Sequence, residues 1–119
     1  MVSVLVVEDN DVFRSSLELL LSLQPGIEIV GAVGTGDEAA RAARELDPDV
    51  VLMDYRLPGR DGADATREVI SSSDAAVLCL TAEATPEERT EILEAGAVGL
   101  VEKGGSIDAL ADAIRDAAS

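Results

Sequence analysis

The chain has 119 residues, one domain's worth, and 47% of them are hydrophobic, enough to build a buried core. Its 24 acidic residues against 9 basic ones give a formal net charge of −15, a surface that repels phosphate backbones and anionic lipid, so neither direct nucleic-acid binding nor membrane association is expected. With no histidine and one cysteine, Cys79, there is no internal imidazole base or ligand and no disulfide framework.

No basic-then-apolar signal opens the chain and no apolar run approaches membrane-spanning length, so a soluble cytoplasmic protein is expected. Phe13 and Tyr55, the only aromatics, cannot form a base-stacking platform. Val2 to Val7 is an apolar run that stops at Glu8-Asp9-Asn10-Asp11: a buried strand ending in an acidic loop. From Val12 to Leu23, Phe13, Leu17, Leu20 and Leu21 fall at helical spacing and define an inner face; Pro25-Gly26 stops that helix. Ile27 to Val33 is a second strand, with Ile27, Ile29 and Val33 spaced by twos and Glu28 on the other face. Gly34-Thr35-Gly36-Asp37 turns into a helix that runs to about Leu46, where Asp47-Pro48 ends it. That turn lacks the full glycine fingerprint of a phosphate loop and is an ordinary helix start.

Val50 to Met53 is apolar at every position, so it reads as a central strand buried on both faces, and it delivers Asp54. Pro58, Gly59 and Gly62 force a loop. A helix from about Ala63 to Ser72 follows, then a buried strand Ala76–Leu80 containing Cys79, with Thr81 at its end. Thr85-Pro86-Glu87-Glu88 starts a helix that Gly96 caps, and Val98 to Val101 is a short fifth strand leading to Lys103. Ser106 caps a last helix, Ile107–Ala117, with Ile107, Leu110, Ala111 and Ile114 inward.

Five alternations of strand and helix specify a doubly wound α/β fold, a parallel sheet with helices on both faces. Such sheets bind ligands at the carboxyl ends of their strands. Those ends carry Glu8, Asp9, Asp54, Thr81 and Lys103. In the flavodoxin-like order 2-1-3-4-5 the first and third strands are neighbours, and three carboxylates converge. They would repel, raising at least one pKa, unless a cation intervenes. All-oxygen ligands favour Mg²⁺. A carboxylate nucleophile beside a hydroxyl and a fixed ammonium can form an acyl phosphate.

With Glu8-Asp9, Asp54, Leu57-Pro58-Gly59, Asp61-Gly62, Thr81-Ala82 and Lys103 in this order, the chain resembles, over essentially its whole length, the receiver domain of bacterial two-component response regulators. The resemblance implies one receiver domain, 1–119, with any output domain outside the chain. It implies a phosphoacceptor at Asp54, served by a sensor histidine kinase or a small phosphodonor. Mg²⁺ would be held by Asp9, Asp54, the Arg56 carbonyl and, through water, Glu8. Thr81, Lys103 and backbone amides near Tyr55, Arg56 and Ala82 would hold the phosphoryl oxygens. Tyr55, Arg56 and Glu83 flank that group and would tune its lifetime. Phosphorylation would bias the face made by the fourth helix, fifth strand and fifth helix, for a partner, a second copy or an output domain. Gly96-Ala97-Val98-Gly99 is similar to receivers that precede a helix-turn-helix DNA-binding domain, which would make the role transcriptional.

Two positions depart from the family pattern. Leu100 stands where a switching aromatic is common, so a switch through Thr81 and Leu100 has no ring to rotate. Gly104 stands where a cis proline is common; a cis bond without proline costs about 3 kcal/mol, so either that strain is kept or the loop differs. A receiver-like interaction module that is never phosphorylated stays open for these reasons. An aspartyl-nucleophile phosphatase would place a second acid where Arg56 stands, and a flavin carrier would not place Glu8-Asp9-Asn10-Asp11 against a flavin phosphate.

Overall fold

The computed structural model describes residues 1–57 and 60–119, residue 60 by its backbone alone. Five parallel strands form the main sheet: β1 (Val2–Val7), β2 (Ile27–Val33), β3 (Val50–Asp54), β4 (Ala76–Thr81) and β5 (Gly99–Glu102), in the order β2-β1-β3-β4-β5. The connections are α1 (Asp11–Ser22), α2 (Gly36–Leu46), α3 (Gly62–Ser72), α4 (Pro86–Glu94) and α5 (Ile107–Ala118). This is the flavodoxin-like order expected from the sequence. A short antiparallel ladder pairs Arg56 with Asp61 and Leu57 with Arg60; the loop expected at Pro58 and Gly59 lies outside the described residues.

The pleat divides the core into two layers. Val4, Val6, Val50, Leu52, Leu78 and Leu80 pack against Leu17 and Leu21 of α1 and Leu110, Ala111 and Ile114 of α5. Leu5, Val7, Val51, Met53, Val77 and Cys79 pack the other way, against Ala39, Ala40 and Ala43 of α2, Ala65 and Val69 of α3, and Ile92 of α4. Burying each of these branched side chains stabilises the fold by roughly 1.5–3 kcal/mol. Because β3 is sandwiched between both layers, every one of its residues is buried, which is why Val50–Met53 shows no alternation.

All five helices begin on a side-chain cap. Asn10, Thr35, Asp61, Thr85 and Ser106 accept hydrogen bonds from the amides of Phe13, Glu38, Asp64, Glu88 and Ala109. Losing one such cap costs about 1 kcal/mol. Caps fix where each helix starts, and so fix the loops that carry the strand-end residues.

Two sequence expectations change, and one open alternative closes. Leu20, placed on the inner face of α1, is 43% exposed; Leu17 and Leu21 carry that face, with Phe13 half-buried. Ile27, Ile29 and Val33 do not share one face. A bulge in the β1–β2 register pairs Val4 with Ile29 but Leu5 with Gly31, so Val33 packs on the α2 side while Ile27 and Ile29 pack on the α1 side. Finally, no peptide bond among the described residues is cis, so the loop after Lys103 keeps a trans bond at Gly104.

Candidate functional site

β1 and β3 run side by side, Val7 opposite Met53, so the acidic turn after β1 meets Asp54. Carboxylate oxygens of Glu8, Asp9 and Asp54 all lie within 4.8 Å of one another. Glu8 and Asp54 are buried, whereas Asp9 is exposed. Backbone geometry sets the turn: the Glu8 amide donates to Val33 O at 3.0 Å, and Arg14 Nη1 donates to Glu8 O at 2.6 Å. The other arm of that guanidinium reaches Asp11 Oδ1 at 2.6 Å. Arg14 thus ties the acidic turn to α1, a role invisible in the sequence because it depends on the helix's entry angle.

β4 is the other neighbour of β3, with Asp54 opposite Leu80. Thr81 follows, buried, and its carbonyl accepts from the Lys103 amide at 2.8 Å. That bond brings Lys103 over the site. Its Nζ stands 3.2 Å from Glu8 Oε2 and 3.2 Å from Asp54 Oδ1. On its other side lies the Phe13 ring, 5.1 Å from Nζ to the centroid. The Asp54 carboxylate also accepts from the Arg56 amide at 3.2 Å.

Glu8 Oε1 accepts from the Asn10 amide at 3.2 Å, but Oε2 is buried with no well-angled hydrogen bond, only the ammonium nearby. Burial pushes the Glu8 carboxyl up; the Asn10 amide opposes, and Asp54 adds to the rise. A raised carboxyl was expected from like-charge crowding, yet loss of water is the larger cause. For Lys103, burial works against the charged form, but Asp54 and Glu8 outweigh it and hold its pKa above the ordinary lysine value. The site therefore has three acids and one ammonium, which contacts only Glu8 and Asp54, with a buried carboxylate oxygen lacking a proper donor. Hard oxygen ligands with an unsatisfied lone pair fit a hydrated divalent cation such as Mg²⁺ and offer nothing to a soft metal.

The remaining sequence-selected residues surround this centre. Arg56, Ala82 and Glu83 are exposed at its rim. Tyr55 is buried against the α2–α4 layer, because the strand direction that aims Asp54 one way turns the next side chain the other. Its hydroxyl donates to Glu91 Oε2 of α4 at 3.5 Å, and Arg56 Nη2 lies 3.8 Å from Glu88. Leu100 is half-buried against the same layer. Sequence reading missed Glu88, Glu91, Phe13 and Arg14 as site neighbours. Only Phe13 carried a signal, as one of two aromatics in a chain that otherwise fills its core with aliphatics.

Among the described residues no helix is long and apolar enough to cross a membrane. Residues 4–115 match the family described as the response regulator receiver domain. The chain is 40% identical over 116 residues to the response regulator GacA of Pseudomonas syringae pv. syringae, covering 97% of this chain and 54% of that protein. It is 37% identical over 118 residues to the transcriptional regulatory protein LiaR of Bacillus subtilis, covering 98% and 56%. The chain thus spans about half the length of these curated relatives. Among solved structures, the signal receiver domain of NarL from Mycobacterium tuberculosis superposes with a TM-score of 0.93 at 33% identity, covering 98% of this chain and 95% of that one. The acids after β1, the aspartate ending β3, the threonine ending β4 and the lysine after β5 thus sit in a chain that belongs to the response regulator receiver domain family.

Proposed function

We propose that this chain is a single receiver domain, 1–119, that works in the cytoplasm as a phosphorylation switch. An Asp54 carboxylate oxygen attacks the phosphorus of a phosphohistidine on a sensor kinase, or of a small acyl phosphate. The new P–O bond forms as the P–N or P–O bond to the donor breaks, and the leaving group takes its electron pair. The observation that carries this reading is Lys103 Nζ poised 3.2 Å from both Asp54 and Glu8, one positive charge beside a cluster of three acids.

Asp9, Asp54, the Arg56 carbonyl and, through water, Glu8 would hold Mg²⁺. Bound there, the ion supplies charge neutralisation on the transferring oxygens. Lys103 and Thr81 hold two of those oxygens, and the Arg56 and Ala82 amides the rest. The chain's only chemistry is then to accept a phosphoryl group and slowly lose it to water, with Tyr55, Arg56 and Glu83 setting the rate of loss.

The switch is read on α4, β5 and α5, by a second copy or by a DNA-binding output domain of a longer protein. Support comes from the roughly half-length match to GacA and to LiaR, whose name states a transcriptional role. Thr81 anchors the loop that leads to α4, and Leu100 supplies bulk but no ring beneath that face.

The test is intact mass after incubation with acetyl phosphate, with and without Mg²⁺, for wild type and Asp54→Asn. One added phosphoryl group that requires Mg²⁺ and Asp54 is expected. Addition at another residue, or none from either acetyl phosphate or a phosphorylated kinase, would leave only an interaction module.

A further inference from the structure

We propose that Phe13 is a positioning residue for Lys103: its ring face holds the ammonium against Glu8 and Asp54 from the α1 side. The inference deepens the phosphoacceptor reading, since that reading assigns Lys103 to the transferred group and leaves Phe13 as core.

Lys103 sits in a loop that does little to direct its side chain. Its amide is anchored to Thr81 O at 2.8 Å, but Gly104 and Gly105 follow, and a Cβ built on Gly104 would meet nothing within 4 Å. A lysine stem has four rotatable bonds and a strongly hydrated head. Two carboxylates attract the head, but point charges define a region rather than a place. The third direction is supplied by Phe13, whose ring lies 5.1 Å below Nζ, inside the range of a cation–π contact.

The ring also forms one wall of a cavity of about 120 Å³ beside the stem, lined among others by Leu17, Leu20, Leu80, Ile107 and Leu110. Without the ring, that space opens to the stem and Nζ gains room to leave the carboxylates. Helix geometry makes the placement firm. The Phe13 amide is the one bonded to the Asn10 cap at 2.9 Å, and the next residue, Arg14, grips Glu8 O. The first turn of α1 therefore orients the acids and the ring together.

Simple packing would make any apolar side chain of similar volume equivalent at this position. Electrostatic positioning makes the charge on the ring face decisive. Lys103 is the only lysine in the chain, so selectively labelled lysine yields one set of signals to follow. In the metal-free, unphosphorylated protein, the Lys103 Hε protons should lie upfield through the ring current. They should return toward the free-lysine position in Phe13→Leu and stay upfield in Phe13→Tyr.

The second arm places phenylalanine bearing one, two or three fluorines at position 13, which keeps shape but drains the face charge. The rate of Asp54 phosphorylation by acetyl phosphate with Mg²⁺ should fall stepwise, by roughly two- to tenfold at three fluorines, while urea midpoints stay together. Phe13→Tyr should keep the wild-type rate. Lys103 signals that do not move in Phe13→Leu, or equal rates across the fluorinated series, overturn the proposal. If wild type takes no phosphoryl group from any donor, the phosphoacceptor reading fails instead, and the Lys103 signals alone decide whether Phe13 holds the ammonium.

Discussion

The Tyr55 hydroxyl donates to Glu91 Oε2, so the residue beside Asp54 is bonded directly to α4. Arg56 reaches the same helix through Glu88. In a chain with Leu100 where a switching ring is common, these two contacts are a direct polar link among the described residues between the β3–α3 loop and α4. Burial pushes the Tyr55 phenol up, with Glu91 and Glu88 adding to the rise, so at neutral pH it is a donor.

Tyr55→Phe should cost at most about 1 kcal/mol, because the bond is long at 3.5 Å and the ring stays packed. Its larger effect should be on communication. Amide exchange in α4 should respond less to acetyl phosphate in Tyr55→Phe than in wild type. A double-mutant cycle with Glu91→Gln checks the contact, and a coupling indistinguishable from zero would remove it from the pathway.

Mg²⁺ should stabilise the fold, because the proposed site is an arrangement the unfolded chain lacks. At a hundred times its dissociation constant the gain is about 2.7 kcal/mol. Asp9 is exposed, so Asp9→Asn should leave metal-free stability within about 0.5 kcal/mol and abolish most of the gain. Thermal unfolding with Mg²⁺ and with EDTA checks both halves.

Gly62 is squeezed against the strand that carries Asp54. A Cβ there would stand 2.6 Å from Tyr55 Cα and 2.8 Å from Asp54 O. Backbone cannot rotate away as a side chain can, so Gly62→Ala should destabilise by about 1–3 kcal/mol and slow phosphorylation by moving Asp54. Gly104→Ala, with open space around it, should stay within about 0.5 kcal/mol of wild type. Urea unfolding of the two variants gives the contrast.

Cys79 is fully buried, and burial, followed by the nearby Asp54 charge, pushes its thiol up to about 12 from an ordinary 9.0. The folded state holds this proton more tightly than the unfolded chain. Its contribution is therefore intact below about pH 9 and is lost as pH rises toward 12. Wild type should lose stability faster than Cys79→Ala across that window, by at most about 1.4 kcal/mol per pH unit. At neutral pH the native thiol should resist alkylation until urea unfolds the chain.

Most of the fold and of the candidate site was readable because each chemical group stands at or just past the end of an apolar run, Lys103 one residue later than the others, after Glu102. Val50–Met53 announces a buried strand, and the residue after it must lie at the strand's carboxyl end, where such sheets present their ligand-binding groups. Glu8, Thr81 and Lys103 follow the same rule. What was not readable depends on contacts between distant segments. The bulge that splits Ile29 from Val33 comes from the pairing of β1 with β2, not from local spacing. Leu20 has helical periodicity but no partner layer above it. Arg14 and Phe13 look like ordinary helix residues until the entry of α1 swings them over Glu8 and Lys103. Glu8 is governed by its burial, which no count of neighbouring acids reveals.

The two-layer core has a consequence for how the site tolerates change. Val50 and Leu52 face α1 and α5, Val51 and Met53 face α2 to α4, and Asp54 continues the first set toward Lys103 while Tyr55 continues the second. The direction of the Asp54 carboxylate is thus a matter of parity. Inserting or deleting a single residue between 50 and 53 would exchange odd for even, sending Tyr55 to the ammonium and Asp54 into the aliphatic layer, with composition and hydropathy almost unaltered. Length, more than side-chain identity, is what β3 must keep.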